Sequence, residues 1–206
     1  MVSTLVGIAL LGSLSGSWAW HTVRYTFDCP VFLSRQRLML GMGLLSAWGG
    51  SVLPLGIPIL CMIGMVVTVT MLSLIDEVFY RLPDHLTQPL LWAGLLAPWA
   101  WPHLRLEEAV YGALAGYCLL WGINWLWSCV THGPGIGRGD MKLAGALGAW
   151  LGIDAIPSLI SWSTWMATVV VLMTYLRSRQ LDHTIAFGPY LGMSGMALML
   201  CLSRTG

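Results

Sequence analysis

The chain has 206 residues, of which 57% are hydrophobic and only 9% are charged, and its mean hydropathy is +0.75. A soluble domain carries about a quarter charged residues, so this composition excludes one and predicts an all-α polytopic protein surrounded by a lipid bilayer. Ten basic and nine acidic residues leave a net charge of +1, which excludes the basic footprint of a nucleic-acid-binding protein.

Uncharged runs of sequence predict about eight membrane-spanning helices, because a bilayer core needs roughly 20 apolar residues per helix. The first run, residues 2–20, is followed by further runs and is therefore predicted to be a helix rather than a cleaved signal peptide. The uncharged stretch 38–75 predicts two helices joined by a turn at Pro54, Gly56 and Pro58. The other predicted spans are 86–102, 109–130, 143–153, 155–176 and 184–203.

The predicted span 143–153 is too short to cross a bilayer in isolation. Within this span, Ala144, Gly148 and Gly152 repeat at four-residue spacing, a pattern that lets helix backbones approach closely. The sequence therefore predicts a short helix buried among the others. The same spacing, with the same predicted packing role, occurs at Gly12 and Gly16, Gly112 and Gly116, and Gly188 and Gly192.

The basic residues predict the orientation of the chain in the membrane. With the loop after the first helix placed in the cytoplasm, Arg105 and Arg204 are the only basic residues on the opposite side, and both chain termini lie on that non-cytoplasmic side. The basic residues then placed in the cytoplasm are Arg24, Arg35, Arg37, Arg81, Arg138, Lys142, Arg177 and Arg179.

Two aspartates are candidate catalytic residues, because an ionisable residue at the edge of a membrane span is costly. Asp76 ends an apolar run and Asp140 opens the short helix, and the predicted topology puts both on the cytoplasmic side, where they could meet. Two carboxylates that share one proton can activate water for hydrolysis. Gly137 and Gly139 would allow unusual backbone conformations and close approach of another chain beside them.

Simpler interpretations of both aspartates are open at this point. Asp140 could be the N-cap of the short helix, and Asp76 could be a boundary residue whose side chain reaches water. Alternatively, buried aspartates could relay protons or bind ions in a small membrane transporter.

Three motifs resemble those of the type IV prepilin peptidases, a family of Gly-x-Gly-Asp intramembrane aspartyl proteases. The segment 137–143, Gly-Arg-Gly-Asp-Met-Lys-Leu, is similar to the second aspartate motif of the family. Asp76 with the segment 82–91 resembles the first aspartate motif and its proline-aspartate turn, and the segment 185–192 resembles the C-terminal signature. The three motifs follow each other in the order of the family.

The resemblance implies an inner-membrane endopeptidase, a single domain over residues 1–206, that cuts the basic leader from prepilins or pseudopilins on the cytoplasmic side. It implies Asp76 and Asp140 as the catalytic pair and no cofactor. It also implies supporting positions in the two aspartate motifs: Gly137, Gly139, Lys142, Pro83 and Asp84.

The loop after the first helix departs from the family. Larger members carry there a domain with two Cys-x-x-Cys pairs that bind zinc, and they also methylate the new N-terminus of the mature pilin. Here the loop runs from His21 to Arg37 and contains Cys29 alone, so the four thiolates of such a zinc site are absent. The five histidines also lack metal-ligand spacing. We expect a peptidase without metal dependence and without methyltransferase activity.

Overall fold

The computed structural model of the chain describes residues 2–26, 35–52, 57–101, 104–131, 135–178 and 186–205. Within these ranges the chain forms eight α-helices and two short 3-10 turns, and no strand. The helices are α1 (Val2–Thr26), α2 (Arg35–Val52), α3 (Ile57–Phe79), α4 (Asp84–Leu96), α5 (Leu106–Thr131), α6 (Arg138–Leu151), α7 (Ile156–Ser178) and α8 (Gly188–Thr205).

Each uncharged run of the sequence corresponds to one of these helices, and the stretch 38–75 is divided between α2 and α3 as predicted. Pro58 lies in the first turn of α3, where a missing backbone N–H breaks no helical hydrogen bond. Pro54 and Gly56 lie outside the described residues. Three helical segments are long and apolar enough to cross a membrane, namely Ile57–Phe79, Leu106–Thr131 and Ile153–Arg177, so the chain is an all-helical membrane protein.

Helix α6 is the buried centre of the fold. Its 14 residues extend for about 21 Å, less than the roughly 30 Å of a bilayer core. Met141 and every residue from 143 to 151 are buried, against α4, α5 and α8. The prediction of a short helix enclosed by others is therefore confirmed.

Glycines bring α5 and α6 into backbone contact. A Cβ added to Gly112 would collide with the carbonyl oxygen of Gly148, and one added to Gly116 would lie 2.5 Å from the carbonyl oxygen of Ala144. The small-residue spacing on both helices is thus a packing pattern, as predicted. Gly152 has a second role, because it ends α6 with a φ of 79°, a conformation that side chains disfavour.

Helix α8 crosses α3 and α6 and is held close to both by glycines. A Cβ on Gly192 would lie 2.7 Å from Cγ1 of Val69 on α3, and one on Gly195 would lie 2.9 Å from Cδ2 of Leu147 on α6. This contact brings the start of α8 beside the end of α3, where Asp76 lies.

Candidate active site

Asp76 lies in the last turn of α3 and is only 5% exposed. Its side chain is not free to reach water, so the interpretation of Asp76 as a water-reaching boundary residue is wrong. Instead, its Oδ2 accepts a hydrogen bond of 2.9 Å from the backbone N–H of Gly188, the first residue of α8.

Helix α3 ends three residues after Asp76, at Phe79. Tyr80 adopts a φ of 51°, the left-handed conformation that commonly ends a helix but that costs a side-chain-bearing residue about 1–2 kcal/mol. Its N–H donates to the carbonyl oxygen of Asp76 at 2.9 Å, which closes the last helical turn. The sharp turn directs the following segment, with Leu82 and Pro83, towards α6.

Asp140 lies in the first turn of α6, but it is not the cap of that helix. The N-cap residue is Gly137, without a side-chain cap hydrogen bond, and Asp140 is the third helical residue. The N-cap interpretation of Asp140 is therefore wrong. Its Oδ1 is buried and has no hydrogen-bond partner among the described residues.

The two carboxyl groups are electrostatic neighbours. Asp140 lies outside the three candidate membrane spans, and its pKa is raised to about 7, first by burial and second by the charge of Asp76. The backbone of Gly137 acts in the opposite direction by hydrogen bonding. The structure thus brings together the two aspartates that the sequence singled out, 64 positions apart.

The two glycines before Asp140 provide space. A Cβ on Gly139 would lie 2.9 Å from Cβ of Leu82, so this glycine lets the two aspartate motifs touch. A Cβ on Gly137 would lie 3.0 Å from Oδ2 of Asp140. The backbone of Gly137, with φ −62° and ψ 140°, is ordinary extended chain, so the expected need for an unusual conformation at this position is wrong.

Lys142 and Asp84 connect the two motifs by an ion pair. The Nζ atom of Lys142 lies 2.6 Å from Oδ1 and 2.8 Å from Oδ2 of Asp84, at the first residue of α4. Pro83 caps α4, and its carbonyl oxygen accepts hydrogen bonds from the N–H groups of Leu86 and Thr87 at 3.1 and 3.2 Å. The ion pair and the cap fix the start of α4 against the start of α6.

The sequence missed two relationships at this site. It assigned Gly188 to packing and to a C-terminal signature, whereas its N–H contacts Asp76. It also named Lys142 and Asp84 separately, without pairing them. The only feature of the sequence that could have indicated a role for Gly188 at the site was its location within the family-like segment 185–192.

No group of three or more His, Cys, Asp or Glu side chains in the described ranges is arranged to hold a metal ion. Cys29, His103, His132 and His183 lie outside those ranges.

Comparison with known proteins gives one family and several relatives. The model of the type IV leader peptidase family matches residues 61–172, which include both aspartates. A protein of Aeromonas hydrophila named prepilin leader peptidase/N-methyltransferase is 34% identical over 201 residues, which cover 97% of this chain and 68% of that protein. No solved structure matches the chain.

Other relatives with the same name align over a shorter part of the chain. The protein of Aeromonas salmonicida (strain A449) is 41% identical over 130 residues, 63% of this chain and 45% of that protein. The protein of Escherichia coli (strain K12) is 41% identical over 125 residues, 61% of this chain and 56% of that protein. The aligned part of this chain thus spans about half the length of these two relatives.

Proposed function

Because the chain belongs to the type IV leader peptidase family, we propose that it is an intramembrane aspartic endopeptidase that removes the basic leader from type IV prepilins or pseudopilins. The observation that carries the proposal is that Asp76 and Asp140 are electrostatic neighbours, with α8 in contact with both α3 and α6. The relatives named above are leader peptidases, so the comparisons do not favour the transporter alternative.

The pair can perform hydrolysis if it holds one proton between its two carboxyl groups. The ionised carboxylate takes a proton from water, whose oxygen attacks the scissile carbonyl carbon, while the protonated carboxyl gives its proton to the carbonyl oxygen. In the collapse of the resulting diol, the first carboxyl returns its proton to the amide nitrogen and the C–N bond breaks. The second carboxyl regains its proton from a diol hydroxyl, so the pair is restored.

We place this reaction at the cytoplasmic boundary of the bacterial inner membrane. The distribution of basic residues supports this orientation, with about eight helices crossing or embedded in the bilayer and both termini on the non-cytoplasmic side. Residues 1–206 act as one peptidase domain in this proposal, since α6 is packed against helices that come both before and after it in the chain.

We further propose that this chain does not methylate the pilin that it cuts. Helix α1 ends at Thr26 and α2 begins at Arg35, so eight residues connect them. A connection of this length cannot form a folded domain, because even domains near 40 residues usually need metals or disulfides. In this proposal, the methyltransferase activity in the name of the relatives does not extend to this chain.

The test is leader cleavage by the purified protein in a lipid bilayer. Wild type is expected to release the leader from a prepilin, and Asp76→Asn and Asp140→Asn are each expected to reduce kcat on the order of 10²–10⁴-fold, the usual contribution of an acid or base group. Both variants should insert and purify at the wild-type level, since the substitution retains the size of the side chain.

Glu77→Gln and Asp154→Asn are the matched controls. Each removes one negative charge from an exposed carboxylate that is not part of the pair. They should retain substantial cleavage. Cleavage by either variant of the pair at the wild-type rate would exclude the assignment of Asp76 and Asp140. A wild-type protein that cuts no prepilin but carries protons across vesicles would favour the transporter.

A further inference from the structure

The start of α8 is in direct contact with Asp76. Gly188 is the first residue of this helix, and the N–H of Leu191 donates to the carbonyl oxygen of Phe187 at 3.1 Å, which makes Phe187 the cap. The N–H of a first helical residue has no partner within its own helix. At Gly188 this group is directed at Oδ2 of Asp76, 2.9 Å away.

Only glycine fits this contact. A Cβ on residue 188 would lie 2.7 Å from Oδ2 and 3.1 Å from Cγ of Asp76. Any larger residue would push the carboxylate away from the N–H, although the backbone φ of Gly188 lies outside the left-handed region that would itself demand glycine. Glycine is therefore required at this position because a side chain would keep the amide N–H from reaching the carboxylate.

The two carboxyl groups of the pair have unequal surroundings. A backbone N–H at the positive end of a helix favours a negative charge on each carboxyl, that of Gly188 at the start of α8 on Asp76 and that of Gly137 at the start of α6 on Asp140, so the difference lies in the second oxygen of each group. Oδ1 of Asp140 is buried with no donor in the described part of the chain, which favours a protonated carboxyl there. This asymmetry is a matter of geometry at the two sites.

We propose that Gly188 is a positioning residue whose backbone N–H keeps Asp76 ionised, so that Asp76 is the base of the pair and Asp140 the acid. The inference rests on the proposed function, since the roles have meaning only for a hydrolase. Asp76 then takes the proton of the attacking water and later gives it to the leaving amide nitrogen. Asp140 gives its proton to the scissile carbonyl oxygen and regains it from the diol when the C–N bond breaks.

Other titratable groups belong to the elements around this end of α3. Lys142 and Asp84 neutralise each other in their ion pair, and Asp140 is the group whose ionisation responds to the charge of Asp76. The remaining titratable side chains that the structure describes on these helices are His21, Arg24 and Tyr25 on α1, Cys61 and Glu77 on α3 itself, His85 on α4, Arg138 on α6, and Tyr190 and Cys201 on α8.

The first experiment removes the N–H of residue 188 and leaves its lack of a side chain unchanged. Replacement of residue 188 by glycolic acid, through cell-free synthesis into lipid nanodiscs, exchanges the amide N–H for an ester oxygen without adding a side chain. The acid limb of the pH profile for kcat should move upwards by about one to two pH units, as expected for the loss of a charge-assisted hydrogen bond. The KM for prepilin should change little.

The same replacement at Gly192 is the matched control. That ester also removes a backbone N–H of α8, and Gly192 packs against Val69 and Ser73 rather than against a carboxylate. The acid limb of this variant should stay at the wild-type pH. An acid limb that stays in place at residue 188, or that moves equally for both esters, would overturn the role of the Gly188 amide.

A second experiment does not need cleavage. In Asp140→Asn the remaining Asp76 should titrate at lower pH than the remaining Asp140 does in Asp76→Asn, as measured by the infrared band of the buried protonated carboxyl. The reverse order would assign the base to Asp140 and overturn the inference. If the esters do not fold, this titration still decides which aspartate of the pair is ionised. If wild type cuts no prepilin, that result counts against the proposed function, and the titration still tests the effect of the Gly188 amide on Asp76.

Discussion

The ammonium group of Lys142 contacts both carboxylate oxygens of Asp84, at 2.6 and 2.8 Å, across 58 positions of sequence. Lys142 lies two residues after Asp140, and Asp84 lies eight residues after Asp76, so one ion pair links the segments that carry the two candidate catalytic groups. Both side chains are about half exposed, which limits what the ion pair contributes to stability.

We expect Asp84→Asn and Lys142→Gln each to lower kcat/KM only a few-fold, because an exposed ion pair contributes on the order of 0.2–1 kcal/mol. The double variant should lose no more activity than the two single losses combined, expressed as free energies. The difference between the observed and the combined loss measures the coupling between Lys142 and Asp84. A loss as large as that of Asp76→Asn would instead place one of these residues in the chemical step.

The pH dependence of cleavage should show a descending limb near pH 7. The pKa of Asp140 is raised to about 7, so above that pH the acid loses its proton, both carboxyls become negative and activity falls. The measurement is kcat/KM from pH 5 to 9, where the limb reports the pair as a whole. Glu77→Gln should leave the limb in place, and constant activity up to pH 9 would contradict a protonated Asp140.

Two glycines of α5 should respond in opposite ways to alanine. At Gly112 the added Cβ would collide with the backbone of Gly148 in α6 and lie 2.8 Å from the carbonyl carbon of Gly152, so Gly112→Ala should lower the free energy of unfolding by about 1–3 kcal/mol. At Gly122 nothing lies within 4 Å, so Gly122→Ala should leave stability unchanged or raise it slightly. Thermal unfolding in detergent compares the two variants, and equal midpoints would contradict the close packing of α5 and α6.

The orientation of the chain can be tested with single cysteines in a cysteine-free background. Arg81 and Glu107 are both exposed, at the end of α3 and the start of α5. Arg81→Cys should be shielded from an impermeant thiol reagent added outside intact cells, and Glu107→Cys should be labelled. The reverse pattern would place the aspartates on the non-cytoplasmic side.

Mass spectrometry of the mature product tests the expectation about methylation. Incubation of the purified protein with prepilin and excess S-adenosylmethionine should give a free N-terminal amine. A relative with both activities provides the positive control for the methyl donor. The mass of one added methyl group on that amine, produced by this chain alone, would show a methyltransferase site.

The approximate positions of the helices could be predicted from the sequence, because a helix in a membrane requires a long uncharged run, and charged residues mark the ends of such runs. The sequence also singled out Asp76 and Asp140 as candidates, since carboxylates at the ends of apolar runs are few, and the structure makes these two groups electrostatic neighbours. The sequence could not show the hydrogen bond between Gly188 and Asp76, which joins groups 112 positions apart and in which the donor is a backbone N–H that every residue except proline carries. The partner of Lys142 was hidden for the same reason, as several acidic residues were equally available to it.

Gly152 and Gly137 show a different limit. Both were expected to act through a general property of glycine, packing at Gly152 and conformational freedom at Gly137. The structure adds a left-handed conformation to the packing of Gly152 against Gly112, and it assigns the need for space to Gly137. The group that an added Cβ would meet at Gly137 is the carboxyl of Asp140, three residues later, and the local sequence does not show that this side chain turns back towards Gly137.

The contact between α8 and Asp76 also determines when the site comes into being. A chain is synthesised from its N-terminus, so Asp76 emerges first, Asp140 follows, and Gly188 comes only with the last helix. Until α8 has been made and docked, Asp76 lacks its hydrogen-bond donor and the pair is incomplete. On the proposed function, proteolytic competence should therefore arise at the end of biogenesis rather than during it, and a chain truncated before α8 should cut prepilin poorly.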